Sequence, residues 1–106
     1  MYEKLRLLCF FDVPMETSRE QKAYRVFRKR LIELGFVMVQ ESVYVRTLPN
    51  RSQLVKFEQQ LKIVTPRNGL VELLYVSEKQ FNDRRFLSGK KSPQEAAVGN
   101  SKMVII

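Results

Sequence analysis

Carboxylates are the side chains of this sequence best suited to chemistry, and Asp12 is the best placed of them. The chain has no histidine and one cysteine, so it supplies no Ser-His-Asp triad, Cys-His pair or histidine-ligated zinc. Asp12 follows an apolar run and precedes Pro14. A carboxylate at such a strand end is suited to Mg²⁺ or Mn²⁺, hard cations that take oxygen ligands and retain water.

Two interpretations of Asp12 compete on the local sequence. A lone aspartate is a weak metal site, and an Asp side chain that caps the turn through Pro14 is the alternative. A homodimer would change the balance, because a two-fold axis near Asp12 brings two carboxylates around one ion. Such an ion lowers the pKa of a bound water and screens the charge of a phosphodiester. Asp12 is therefore the candidate catalytic residue and metal ligand of a metal-dependent nuclease.

Positive charge dominates the chain and points to a polyanionic partner. There are 19 Lys and Arg against 11 Asp and Glu, a formal net charge of +8. Such a field favours nucleic acid first and an anionic membrane surface second. The candidate nucleic-acid-binding residues are Arg19, Lys22, Arg25, Arg28, Lys29, Arg84 and Arg85. A merely solvated basic helix surface is the alternative for the first five.

Cysteine usage and apolar runs indicate where the protein works. Cys9 lies inside an apolar run, where a buried thiol packing as a small hydrophobe is favoured over a nucleophile. A single cysteine excludes an intrachain disulfide, which fits a reducing cytoplasm. The apolar runs are far shorter than the roughly 18 residues of a membrane span, and the N-terminus lacks the pattern of a signal peptide. We expect a cytoplasmic protein with no membrane partner.

Hydrophobic periodicity predicts the elements that position these residues. The first helix begins at a capping box, either Thr17 with Glu20 or Ser18 with Gln21. The predicted order begins with a buried strand over 4–13 and a helix that ends at Gly35. Two short strands over 36–48 follow, joined by a tight turn or bulge. The last two elements are a helix opened by Asn50 with Gln53 and ending at Thr65, and a strand over 70–76 interrupted by Glu72.

This order is the split βαβ pattern of an α+β, ferredoxin-like sandwich, with four antiparallel strands and two helices on one face. The other face would expose Leu8 and Phe10, an apolar patch for bases or for a second subunit. We expect a ferredoxin-like domain over 1–82 and a basic linker with a C-terminal strand over 83–106. That strand, Met103, Val104, Ile105 and Ile106, should dock on a sheet edge of its own chain or of a partner.

Several segments also carry a resemblance to a known family. They are LLCFFDVP at 7–14, YRVFRK at 24–29 and GFVMVQESVY at 35–44. In this order and spacing they resemble the Cas2 family of CRISPR-associated proteins. GLVELL at 69–74 and EKQF at 78–81 are similar to variants from type II CRISPR systems. The resemblance covers residues 1–81 and depends on several motifs together.

The resemblance implies a homodimer at the centre of the spacer-acquisition complex, where it bridges Cas1 integrase dimers and holds duplex DNA. It implies that Asp12 is a metal ligand at the dimer interface and that the C-terminal strand completes the partner's sheet. Family members are described as Mg²⁺-dependent endonucleases on RNA or double-stranded DNA. Many relatives have Tyr where this chain has Phe11, so a hydroxyl role there is missing.

A module that binds single-stranded RNA on the same fold, without catalysis, is the competing function. Such modules stack bases on aromatic side chains of the sheet. The segment 67–73 lacks the required Gly-aromatic pattern, because Leu70, Val71 and Leu73 stand where rings would be needed. The sequence therefore favours the nuclease and scaffold reading.

Overall fold

The structure, a computed structural model, describes residues 4–89 and the strand residues 104–105. Strands β1 (Leu5–Asp12), β2 (Val37–Gln40), β3 (Val43–Leu48) and β4 (Leu70–Ser77) form an antiparallel sheet of order β2-β3-β1-β4. Helices α1 (Ser18–Glu33) and α2 (Leu54–Val64) cover one face and enclose the core. The α+β, ferredoxin-like βαββαβ sandwich is thus confirmed.

Strand β1 is an inner strand of the sheet, paired with β3 on one edge and β4 on the other. Its two faces meet different surroundings. Leu5, Leu7, Cys9 and Phe11 point into the core, each no more than 6% exposed. The alternate residues point to the face away from α1 and α2, called the outer face below. There Leu8 and Phe10 are half-buried and Asp12 is exposed.

Local side-chain chemistry sets both ends of α1. The Thr17 hydroxyl accepts a hydrogen bond from the Glu20 N–H at 3.1 Å, and Glu20 Oε1 accepts one from the Thr17 N–H at 3.0 Å. Of the two capping boxes that the sequence allowed, this one forms. Gly35, at φ +91°, ends the helix as predicted, and the Phe36 N–H donates to the Leu31 carbonyl at 3.0 Å in a Schellman arrangement.

The middle of the chain matches the prediction except at the start of α2. A turn with Ser42 at φ +67° joins β2 to β3. The pairing of the two strands also contains a bulge, between Met38 and Gln40. Asn50 caps a short 3₁₀ helix over Arg51–Gln53 by accepting from the Ser52 N–H at 2.9 Å. The predicted pairing of Asn50 with Gln53 is wrong, because the Gln53 side chain makes no capping hydrogen bond. Helix α2 starts at Leu54, directly after the 3₁₀ helix.

The segment after β4 is more regular than the sequence suggested. A short helix, α3 (Glu78–Asn82), follows β4 directly and buries Phe81. Strand β5 (Arg85–Phe86) then pairs in parallel with β6 (Val104–Ile105) in a separate two-stranded sheet. Of the two docking alternatives, the structure does not show the C-terminal strand on an edge of its own main sheet, because its described residues pair with β5.

Other expectations for the tail stay predictions. Met103 and Ile106 lie outside the described residues, as does most of the basic linker. The addition of this strand to a partner's sheet, and the domain boundary between residues 82 and 83, are likewise untested. Among the helices that the structure describes, none is long and apolar enough to cross a membrane.

Candidate functional site

Asp12 ends β1 on the outer face, with its side chain exposed. Its backbone pairs with Leu70 at the start of β4. Within residues 4–89 its carboxylate makes no hydrogen bond or ion pair, so the structure does not show the cap on the Pro14 turn. Both carboxylate oxygens therefore remain open to a ligand.

A second carboxylate, that of Glu72, lies beside Asp12 in one open cleft. The cleft has a volume of about 230 Å³, and Phe10, Ser42 and Leu70 also line it. Glu72 is opposite Phe10 in the sheet, two residues from the partner of Asp12, so both carboxylates lie on the outer face. In the sequence Glu72 stands out only as an interruption of a strand. A charged residue in the middle of an apolar strand was the signal that could have identified it.

The donors of this cleft fit a hard divalent cation, although one chain provides few of them. Among the residues that the structure describes, no three acidic, Cys or His side chains cluster closely enough to hold a metal ion. Asp12 and Glu72 together offer only oxygen ligands. Mg²⁺ accepts such a sparse set, because it is usually bound by one or two carboxylates with waters and substrate phosphates completing its shell.

Phe11 anchors the end of β1 from the other side of the sheet. Its ring lies edge-on to Phe27, with centroids 5.2 Å apart, and stacks on Tyr44 at 5.7 Å. The Tyr44 hydroxyl, in turn, accepts a hydrogen bond from Arg28 Nε at 2.8 Å. Phe11 therefore fixes the strand that carries Asp12 through its packing in the core.

The predicted cations of α1 form one exposed surface, called the α1 cationic face and made up of Arg19, Lys22, Arg25, Arg28 and Lys29. In the described part of the chain none of the five has an ion-pair partner. Arg28 alone has a hydrogen bond, the one to Tyr44. Helix α1 starts a few residues after Asp12, but in the described part of the chain none of its five cations lines the acidic cleft.

Arg84 and Arg85 lie beyond the end of β4 that is opposite to Asp12. At the rise per residue of a β-strand, the two ends of β4 are about 20 Å apart. The Arg84 guanidinium lies 3.8 Å from the Phe81 ring centroid, and its Nε donates to the Phe81 carbonyl at 2.9 Å. Arg85 is exposed on β5. Among the described residues, neither this pair nor any of the five α1 cations lines the cleft of Asp12.

Cys9 has no part in the site. It is fully buried in the core, and burial raises the pKa of its thiol to about 12. Since the thiolate is the reactive form, the expectation of an inert, hydrophobic cysteine agrees with the structure.

The fold and the site define a small, basic, ferredoxin-like protein with an acidic cleft at one end of its sheet. The chain belongs to the CRISPR associated protein Cas2 family, whose model matches residues 5–84. That range includes Asp12, Glu72 and the whole of α1.

Curated relatives agree with the family match. A protein of Ligilactobacillus salivarius is 48% identical over 82% of this chain and 86% of its own length. Proteins of Lacticaseibacillus rhamnosus and Streptococcus mutans are each 40% identical, over 80% and 92% of this chain and over 84% and 86% of their own lengths. All three are named CRISPR-associated endoribonuclease Cas2.

Proposed function

We propose that this chain is a metal-dependent endonuclease acting on RNA or double-stranded DNA. As a homodimer it would also hold duplex DNA in the spacer-integration complex with the Cas1 integrase. The observation that carries the proposal is the exposed, unpaired carboxylate of Asp12, which shares a cleft with Glu72. The relatives are named endoribonucleases, which supports the same chemistry.

Asp12, with Glu72 beside it, would hold Mg²⁺ or Mn²⁺ as the cofactor. When bound, such an ion supplies Lewis acidity toward the phosphodiester and lowers the pKa of a water molecule. Asp12 provides the negative charge at the open end of the cleft. Phe10 and Leu70 provide apolar walls.

A second copy of the chain would pack on the outer face. Leu70 and Leu74 are 58% and 51% exposed there, and Leu8 and Phe10 are only half-buried. An apolar surface of this kind is typical of a protein interface. Because Asp12 lies on the same face, a two-fold axis near it would add a second Asp12 to the metal site.

The α1 cationic face supports the DNA-holding role. Its five cations have no carboxylate partner among residues 4–89, and arginine in particular matches the bidentate geometry of phosphate. The bridging of Cas1 dimers is the finer part of the proposal. Family membership supports it, and complex formation between the two purified proteins on duplex DNA would test it.

The nuclease role is tested by cleavage of single-stranded RNA and of duplex DNA, with Mg²⁺ and with EDTA. Asp12→Asn removes the charge without changing the shape, and we expect a loss on the order of 100-fold, typical of the loss of one essential charged group. Asp83→Asn is the matched control, since Asp83 is the other aspartate of the chain and is exposed in an ion pair with Lys79. Full cleavage by Asp12→Asn would contradict the nuclease proposal.

The scaffold role is tested on the same proteins by duplex DNA binding in EDTA. Binding through phosphates releases counterions, so the logarithm of the affinity should fall linearly with the logarithm of salt concentration. We expect Asp12→Asn to bind as tightly as the wild type. Affinity that does not change between low and high salt would argue against this role.

The outer face offers little to a single-stranded RNA module. Such a module stacks two or three bases on aromatic side chains of its sheet. Phe10 is the one aromatic residue that the alternation of β1 to β4, over the described residues 5–77, directs to the outer face. Tyr75 pairs with Leu7 on the helix side, and its hydroxyl accepts a hydrogen bond from Arg51.

A further inference from the structure

A cleft of about 300 Å³ lies between the start of α1 and the loop that joins α2 to β4. Arg19 lines it from the helix, and Arg67 with Asn68 lines it from the loop. A neighbouring groove of about 420 Å³ is also lined by Arg19 and Arg67 and adds Lys22. Arg67, 48 positions after Arg19 in the sequence, therefore extends the α1 cationic face across the groove between the helices.

Both arginines are available to a ligand. Arg19 and Arg67 are exposed, and neither forms an ion pair or a hydrogen bond with another residue in 4–89. The one acidic residue of the cleft is Glu20. Its Oε1 accepts hydrogen bonds from the Glu16 and Thr17 N–H groups, both at 3.0 Å, so this oxygen is already committed to the helix cap.

The loop that carries Arg67 is held firmly against the turn after β1. Gly69 adopts φ +103°, and a Cβ placed on it would lie 2.5 Å from the Asp12 carbonyl oxygen and 2.8 Å from Val13 Cα. Backbone therefore packs directly on backbone here. This contact places the cationic cleft at the same end of the molecule as the Asp12 cleft.

We propose that Arg19 and Arg67 form a phosphate-binding cleft for the backbone of duplex nucleic acid, an inference that deepens the DNA-holding function proposed above. Each guanidinium donates paired N–H groups that match two phosphate oxygens. Asn68 offers a further amide donor at the rim. A duplex held here would lie against the helix side of the molecule, at the end where β1 terminates.

The test is duplex DNA binding by Arg67→Gln, measured by fluorescence anisotropy with a labelled 30-base-pair duplex over a series of salt concentrations. We expect a threefold to tenfold loss of affinity and a salt slope smaller by about one, the change for one lost phosphate contact. Lys62→Gln is the matched control. It removes the same charge from an exposed residue of the nearby α2 that lines neither cleft, and its affinity should stay within about twofold of wild type.

Two further variants separate a built site from general charge. Arg67→Lys keeps the charge and loses the planar fork, so an affinity between those of the wild type and Arg67→Gln supports bidentate binding. The double variant combines Arg19→Gln with Arg67→Gln. Its fold-loss of duplex affinity should be smaller than the product of the fold-losses of the two single variants, because the effects of residues that share a ligand are not additive. Equal affinity of Arg67→Gln and Lys62→Gln overturns the inference while leaving the scaffold role in place, whereas no duplex binding by the wild type overturns both.

Discussion

Gly69 controls how closely the loop before β4 approaches the strand end that bears Asp12. At φ +103° a side chain is strained, and its Cβ would collide with the Asp12 carbonyl oxygen at 2.5 Å. We expect Gly69→Ala to lower the free energy of unfolding by about 2 kcal/mol or more, the sum of the left-handed backbone cost and the forced displacement. Urea denaturation followed by circular dichroism measures it.

Gly89→Ala provides the control for the backbone cost alone. Gly89 has a similar φ of +83°, but a Cβ there meets no atom within 4 Å. We expect this variant to lose about 1 kcal/mol at most. Equal losses in the two variants would show that the close approach at Asp12 contributes nothing.

At the level of single residues the sequence predicted Asp12 and the α1 cations but missed Glu72 and Arg67 as neighbours of these groups. Asp12 was recognisable because Pro14 and the apolar run define a strand end locally. Glu72 and Arg67 are each more than 40 positions from the residues they accompany. Only the pairing of β1 with β4 and the packing of the loop beside it bring them near.

Helix α3 is fastened to the outer face by a buried arginine. Arg6 is 3% exposed, and its guanidinium bonds Glu78 Oε1 at 2.6 Å and lies 4.9 Å from the Phe81 ring centroid. We expect Glu78→Ala to lower the free energy of unfolding by about 2 kcal/mol. The buried cation would lose its partner, but the cost is moderated because the Glu78 side chain is 32% exposed.

The control for this ion pair is Asp83→Ala, which removes the exposed ion pair between Asp83 and Lys79. The Lys79 side chain is 86% exposed and the Asp83 side chain 63%. Such pairs contribute little, so we expect a change of no more than about 0.5 kcal/mol. Thermal unfolding of both variants gives the comparison. A Glu78→Ala protein as stable as Asp83→Ala would show that Arg6 does not hold α3 in place.

Element boundaries show where local sequence is sufficient and where it is not. Gly35 ended α1 as predicted, since a left-handed residue after an amphipathic run is a local requirement. The choice between the Thr17 and Ser18 boxes could not be made from spacing, because both residues have a suitable partner three positions later; in the structure the Thr17 box forms. The parallel pairing of β5 with β6 joins residues 19 positions apart and had no local signal.

At the scale of the whole molecule the cations of α1 are on a different face from the exposed leucines beside Asp12. The cations of α1 lie on the helix side, whereas Leu70 and Leu74 lie on the outer face with Asp12. In the proposed function, this separation would let one face bind nucleic acid while the other meets a second copy. Dimer formation and phosphate binding should therefore respond to different substitutions.

Leu74→Glu tests this division. A charge in an apolar interface loses its hydration, so we expect the variant to be monomeric at concentrations where the wild type is a dimer, as measured by sedimentation or light scattering. It should also lose metal-dependent cleavage, if two Asp12 carboxylates share one ion. The control is Ile63→Glu, since Ile63 is 84% exposed on α2, on the helix side, and this variant should remain dimeric. A Leu74→Glu dimer would place the interface elsewhere, and a Leu74→Glu monomer that still cleaves would show that the carboxylates of one chain are sufficient.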